Sequence, residues 1–448
     1  MNDGAIGGRA NALRLPIDVG TPTVVLKFDQ NPMHHGGLGV IRSLGRVGVP
    51  VYGVHEGPRA PAASSRYLTG RFFWQPEPED ADRVLAGLRR LSDLIGEPAV
   101  LLPTDDAGAI FLSEHGDSLR ALFRFPALPD GLPRRLAGKY SLYELCTQDG
   151  ILCPKTALPA SLAQAREFAA GSQYPLVAKL TAPWSSGGLR STTIVRDADQ
   201  LDEVYRACDE AGAGLMLQEF IPSAADSDWF FHGYCDATST CKPAFTGVKE
   251  RSYPAHAGLT SLGRATPNER LREQVTTMLT KLGYRGILDL DLRWDSRDDQ
   301  YKLLDFNPRL GAQFRLFRNS ANIDVALAYY LDLTGQVIPG AEQEVERRFL
   351  VENYDPIAAI GYWRRGELDL RTWLRSVHGV EEKAWFARDD LRPFGLMCLR
   401  MGWRAATRAL PVRRERPAST DPRYSGGRTA RGPPRNVGCA MASAEKYG

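Results

Sequence analysis

Ile287-Leu288-Asp289-Leu290-Asp291-Leu292-Arg293-Trp294, then Asp295-Ser296-Arg297-Asp298-Asp299-Gln300, then Tyr301-Lys302-Leu303-Leu304-Asp305-Phe306-Asn307-Pro308-Arg309 is the stretch that decides the reading of this chain. Two apolar runs around a polar turn predict an antiparallel hairpin. Period two puts Asp289 and Asp291 on one face of the first strand, and Asp305, Asn307 and Arg309 on one face of the second. Two carboxylates and an amide oxygen are hard ligands, of the kind Mg²⁺ takes while it also holds substrate phosphates. Arg309 adds a fixed cation suited to phosphoryl oxygens. A solvated hairpin with charges on its open face is the alternative, and Asp-Phe-Asn-Pro-Arg behind an apolar strand argues against it.

Outward from the hairpin, 448 residues predict two to four domains, each with its own core. A chain 43% hydrophobic and 24% charged is ordinary for a globular protein. From Arg404 to Gly448, ten Lys/Arg stand against three Asp/Glu, so the net charge of +3 hides a mildly acidic body and a basic tail. Seven scattered cysteines without a C-x-x-C pair argue against a disulfide framework or zinc knuckle. With no signal-peptide pattern in Met1–Pro16 and no run of about 18 apolar residues, the expected location is the cytoplasm.

Thr23–Phe28, a glycine-bearing segment at His35–Gly39, a helical pattern over Val40–Arg46 and a strand at Val49–Val54 compose a βαβ module. A helix over Asp80–Leu94 and a strand over Ala99–Pro103 follow, with Thr104-Asp105-Asp106 at the strand's carboxyl end, where open α/β sheets place ligand groups. Gly36-Gly37-x-Gly39 lacks the G-x-G-x-x-G spacing, so a tight turn with close helix packing is preferred to a dinucleotide loop.

Further on, Leu136–Gly150 is expected as one helix carrying Lys139, and Tyr174–Leu180 as a strand presenting Lys179 beside a loop that includes Ser186, Gly187 and Gly188. Such a lysine with free backbone N–H groups can neutralise a polyphosphate, although a strand-end lysine commonly just reaches for solvent. Gln218-Glu219-Phe220-Ile221-Pro222 leaves a strand and turns at a proline, either as an adenine-contacting linker or as a plain connection. Asp228 could reach ribose hydroxyls or be a solvated turn acid. Alternation puts Lys249 and Arg251 on one strand face as an anion site, and His256 behind them is a conceivable general base.

Taken in order, the Lys139 helix before Gly150-Ile151-Leu152-Cys153-Pro154, Lys179 with its glycine loop, Gln218–Pro222, Lys249-x-Arg251 and Asp305-Phe306-Asn307-Pro308-Arg309 resemble the ATP-grasp superfamily, in its carboxylate–amine ligase branch containing D-aspartate ligase. The resemblance spans about residues 21–340. It implies an α/β and α+β fold with a doubly wound, Rossmann-like pre-ATP-grasp domain over 21–130, a lid subdomain over 131–215 and a catalytic subdomain over 216–340. A helical extension over 341–402 and a basic disordered tail over 403–448 complete that division.

By the same resemblance, ATP is held by Lys139, Lys179, Ser186, Gly187 and Gly188, with Gln218, Glu219, Phe220 and Ile221 as the adenine linker and Asp228 nearby. Mg²⁺ (or Mn²⁺) is ligated by Asp291, Asp305 and Asn307, while Arg309, Lys249 and Arg251 act on the reacting groups. Register against Asp305 favours Asp291 over Asp289. Two positions depart from the family pattern: Asp305 stands where glutamate is more frequent, and Ser223 where glycine is usual. The implied reaction activates a carboxylate as an acylphosphate for attack by an amine. The competing readings are a phosphotransferase using the same site and a non-catalytic nucleotide-binding regulator. The partners implied are small carboxylates and amines; specific nucleic acid is excluded, a homodimer stays open, and the tail can at most make weak contact with anionic surfaces. Cutting the chain after Trp403 is therefore expected to leave catalysis nearly unchanged.

Overall fold

The computed structural model of the protein describes residues 17–409 except 182–188, 191, 223, 225 and 257. Ser186, Gly187 and Gly188, and the basic segment beyond Ala409, lie outside the described residues.

The first sheet contains β1 (Thr23–Leu26), β2 (Val51–His55), β3 (Leu68–Phe73), β4 (Ala99–Pro103) and β5 (Phe123–Arg124), in the order β3-β2-β1-β4-β5. Every neighbouring pair is parallel. Strand alternation sends Val24 and Leu26 to a core shared with α2 (Ala81–Ile95) and α3 (Asp106–His115), and Val25 to one shared with α1 (Gly36–Arg46). Helices thus cover both faces, and the strand order reverses between β1 and β4. The glycines expected in a turn open α1 instead. A Cβ at Gly39 would come within 2.7 Å of the Phe314 ring, so close packing is what that glycine permits.

The expected single helix around Lys139 is two, α4 (Leu132–Ala137) and α5 (Lys139–Asp149), because Gly138 is extended at the junction. Lys139 is therefore the first residue of a helix, and Gly150 closes that helix in the left-handed region. A four-stranded sheet follows in the order β6-β9-β7-β8, from β6 (Thr156–Ala157), β7 (Leu176–Leu180), β8 (Thr192–Val195) and β9 (Leu215–Glu219). Helices α6 (Leu162–Ala170) and α7 (Ala198–Glu210) pack on it.

The third sheet runs β14-β13-β10-β11-β12-β15-β16, with β10 (Asp228–Cys235), β11 (Cys241–Tyr253), β12 (Leu259–Ala265), β13 (Gly286–Asp295), β14 (Gln300–Asn307), β15 (Arg348–Leu350) and β16 (Glu382–Lys383). Leu288, Leu290, Leu292 and Phe306 point from one face into a core with α4, α5 and α8 (Glu269–Lys281). Period two then leaves their acidic neighbours on the other face. Helix α9 (Val325–Leu333), apolar all round, joins this sheet to α1 and the first sheet in a common core. The remaining helices are α10 (Asp355–Arg364), α11 (Leu370–Val377) and α12 (Arg392–Ala409), so the segment after 341 also contributes two edge strands. Helix α12 continues past the expected boundary at 403, and a cut after Trp403 would fall inside it.

A buried polar lock holds the C-terminal segment to the first sheet's helix. The Arg42 guanidinium, fully buried, donates from Nε to Asp390 (3.0 Å) and from Nη2 to the carbonyls of Trp385 (2.7 Å) and Asp390 (2.9 Å). Ser65 Oγ donates to the same carboxylate at 2.7 Å. Arg42→Leu leaves Asp390 without its counter-charge, and removing one partner of a buried pair costs about 3–5 kcal/mol. A correspondingly lower urea midpoint is expected, and an unchanged midpoint would show that the lock does not hold the segment.

Candidate active site

The β13–β14 register sets Asp291 directly opposite Asp305 and Asp289 opposite Asn307. On the other side of β13, His232 lies opposite Asp289 and Asp228 opposite Arg293. Directly paired residues share a face, so these side chains form one polar surface on the sheet.

Within it the two candidate first acids separate. Asp289 is buried, with Arg309 Nη1 3.1 Å and His232 Nε2 3.1 Å from its carboxylate, and the Asn307 amide within 3.4 Å. Burial raises its pKa, partly offset by Arg309, and burial lowers that of His232 to about 3, so His232 is neutral. Asp291 is more exposed; its Oδ1 stands 3.2 Å from Lys249 Nζ but lacks a hydrogen-bond partner among the described residues. Asp289 thus contacts Arg309, Asn307 and His232, whereas the ion-pair partner of Asp291 is Lys249; one oxygen of each carboxylate has no hydrogen bond among the described residues.

Asp305 has its pKa raised to about 6, first by burial and then by the charges of Asp291 and Asp106. Lys179, on the second sheet, projects toward it. Burial, and then the charge of Lys139, lowers the Lys179 pKa to about 8, and Asp305 opposes that shift. Lys179 Nζ donates to Gln218 Oε1 at 2.8 Å, and the Gln218 amide donates to Thr156 Oγ1 at 3.1 Å. The Lys249 ammonium loses stability by burial but gains more from Asp291 and Asp228, which leaves its pKa raised. Arg309 reaches the carboxyl end of the first sheet as well, with Nε 3.2 Å from Asp106, while its Nη2 donates to Asn307 Oδ1 at 2.8 Å.

Other expected residues are committed elsewhere. Arg251 does not share the Lys249 face, because β11 has register shifts between Lys249 and Ser252. Its guanidinium instead forms a buried two-point pair with Asp355 (2.9 and 3.1 Å) and donates to Ser376. Asp228 is paired with Arg293 at 2.5 Å, and His256 sits 2.7 Å from Glu367 in an exposed turn. In the linker, Glu219 faces Arg297, Ile221 is buried with its carbonyl accepting from Arg293, and Phe220 is half-buried. His232 and Thr156 are contributors that the candidate set lacked; their placement follows from strand pairing and sheet contact, and no local motif signals them. Asp106 is part of the strand-end segment already singled out, and its pairing with Arg309 is what the structure adds.

The donor set suits a divalent cation. Among the described residues, no cluster of three His, Cys, Asp or Glu side chains forms an all-protein cage. Two facing carboxylates and an amide oxygen match the habit of Mg²⁺, which keeps waters and substrate phosphates as its other ligands. The facing of Asp291 and Asp305 and the raised Asp305 pKa are what a missing counter-charge would leave.

No family model matches the chain. It is 25% identical over 243 residues to D-aspartate ligase of Enterococcus faecium, covering 50% of this chain and 56% of that protein. It is 27% identical over 210 residues to the carbamoyl phosphate synthase large chain of Deinococcus radiodurans, covering 44% of this chain and 19% of that one. The chain therefore spans little more than half the length of the first relative and about a fifth of the second. In fold it is similar to N5-carboxyaminoimidazole synthetase from Staphylococcus aureus, with a TM-score of 0.54, 12% identity, and 74% and 82% of the two chains covered. The chain has the ATP-grasp fold. L-amino acid ligase from Bacillus licheniformis shares this ATP-grasp architecture at a TM-score of 0.51 and 17% identity, over 70% and 74% of the two chains.

The electrostatics set the sign of a pH test. A folded-state pKa of about 6 for Asp305 exceeds the unfolded value, so the folded protein holds the extra proton. The stability lost to this carboxylate accordingly grows as pH rises from about 4 to 6 and persists above. Without nucleotide or metal, Asp305→Asn should melt higher than wild type at pH 7, with the gap closing below pH 4. A lower melting point for the variant at pH 7 would reject the strained-carboxylate assignment.

Proposed function

We propose that this ATP-grasp protein is a carboxylate–amine ligase of small-molecule substrates, dependent on ATP and on Mg²⁺ or Mn²⁺. One observation carries the reading: Asp291 and Asp305 face each other across paired strands, with Lys249 beside Asp291, Lys179 acting on Asp305 from the second sheet, and Arg309 held on the neighbouring Asp289 and Asn307. That is a site for a polyphosphate and a cation together. The similarity to D-aspartate ligase and the fold shared with N5-carboxyaminoimidazole synthetase support the ligase chemistry. A synthetase of that kind has been solved with ADP.

In this reading Asp291, Asp305 and Asn307 would hold the metal, which when bound neutralises phosphate charge and orients the transferring group. Lys179 and Lys139 bind phosphate oxygens. Lys179 exchanges its present bond to Gln218 for them, and nucleotide charge restores its full protonation. Gln218 to Ile221 line the adenine, and Asp228 stands near the ribose.

A substrate carboxylate oxygen attacks the γ-phosphorus, ADP leaves, and an acylphosphate forms. Arg309, fixed by Asp289 and Asp106, offsets charge on the moving phosphoryl group, and Lys249 does so from β11. The amine then attacks the acyl carbon, phosphate departs with the bonding pair, and the amine's proton is lost to give the amide. Arg251 supports this from outside the acidic cluster, by fixing β11 against Asp355.

Asp305→Ala and Asn307→Ala are each expected to remove ATP turnover while the protein stays folded, measured as ADP release with paired carboxylates and amines. Normal turnover in either variant would discard the metal-site assignment. Phosphate release that does not depend on an amine, with a phosphorylated product, would replace the ligase by a phosphotransferase. Lys179→Ala should weaken ATP binding by calorimetry more than it shifts the melting point without nucleotide; the reverse pattern would make Lys179 structural.

A further inference from the structure

Helices α10 and α11 are joined by residues 365–369 and tied where Trp373 Nε1 donates to Asp355 Oδ2 at 2.9 Å. The inner face of α10 is accounted for: Ala358 and Ala359 are buried, and the Tyr362 hydroxyl accepts from the backbone N–H of His256. Its outer face is not. Ile357, Ile360 and Trp363 recur at a spacing of three along the other side, and Leu370 and Leu374 follow one turn apart on α11. All five are exposed, Trp363 at 64% and Leu370 at 66%. No residue of α11 is fully buried, although its apolar and basic positions segregate sharply around the helix.

Arg364, Arg365, Arg371 and Arg375 border these side chains. All four are exposed and none is in an ion pair with a described residue, whereas the carboxylates nearby are engaged. Glu367 bonds His256, and Asp369 caps α11 by accepting from Thr372. A helix pair with a Trp, Ile and Leu stripe edged by unpaired arginines has the composition of an interfacial element.

We infer that the outer face of α10–α11 docks on the surface of an anionic phospholipid bilayer. Charge selects this occupant. A second copy docked on this face by a two-fold contact would set two patches of the same positive charge against each other. The chain beyond Ala409 is itself basic and would meet the same repulsion. An anionic bilayer offers both a hydrocarbon boundary for the five apolar side chains and negative charge for the arginines. The contact is peripheral, as no helix among the described residues is long and apolar enough to cross a membrane.

The test is cosedimentation of the full chain with phosphatidylcholine vesicles, with and without phosphatidylglycerol, at low and high salt. Binding is expected only with phosphatidylglycerol and should weaken as salt rises. Trp363→Ser combined with Leu370→Ser and Leu374→Ser should reduce binding by roughly tenfold or more. Arg371→Gln combined with Arg375→Gln should also reduce it, and melting points should be retained throughout. Absence of binding to any vesicle would overturn the inference. So would equal binding by the apolar triple variant, which would assign the attraction to the basic segment beyond Ala409. Self-association seen by sedimentation equilibrium and lost in the triple variant would assign the face to a second copy instead.

Discussion

The gathering of four carboxylates at one place, some of them withdrawn from water, is the constraint around which the site is organised. Asp289, Asp291, Asp305 and Asp106 influence one another across two sheets, and burial raises the pKa of Asp289 and Asp305. Such a cluster is tolerable only when cations are fixed beside it. The second sheet sends Lys179, and the third sends Lys249 from β11 and Arg309 from the segment after β14. Arg309 in turn ties the hairpin to the first sheet through Asp106. Charge balance thereby links the three sheets at one point, which is also the point where a polyphosphate and a divalent cation would complete the balance.

Asp289 and Asp291 show how one strand face yields two roles. They are two residues apart and chemically identical, yet Asp289 sits opposite His232 and Asn307, whereas Asp291 sits opposite Phe230 and Asp305. A neutral imidazole and an arginine turn the first into a positioning group. The second faces another carboxylate and is paired with the Lys249 ammonium. The same logic distinguishes Lys249 from Arg251. A bulge in β11 breaks the alternation that would have put them side by side, and Arg251 becomes the buried tie between β11 and α10.

Local sequence determined much of the architecture, because hydrophobic period and turn chemistry act over a few residues. The strand Ala99–Pro103 has the limits that its pattern implies, and the two hairpin strands fall within two residues of theirs. The motif order from Lys139 to Arg309 is likewise legible, and with it the ATP-grasp fold. Where glycine was read as a turn, packing decided otherwise: Gly36 to Gly39 open α1, since the adjoining Phe314 needs a surface without a Cβ. At Gly138 the reverse happened, and a continuous helical pattern broke in two.

Only the tertiary structure decided which polar groups meet. Residues 57 apart in sequence, His232 and Asp289, become neighbours by strand pairing; Asp106 and Arg309 do so by contact between sheets. Nothing in either local sequence encodes the partner, because register and sheet packing are set by the sum of many apolar contacts and not by the charged residues themselves. The sequence therefore determined the kind of chemistry, through which residue types alternate with which apolar ones. Tertiary structure determined the division of labour among those residues, since the pKa and free valence of each depend on how deeply it is buried and on what stands opposite.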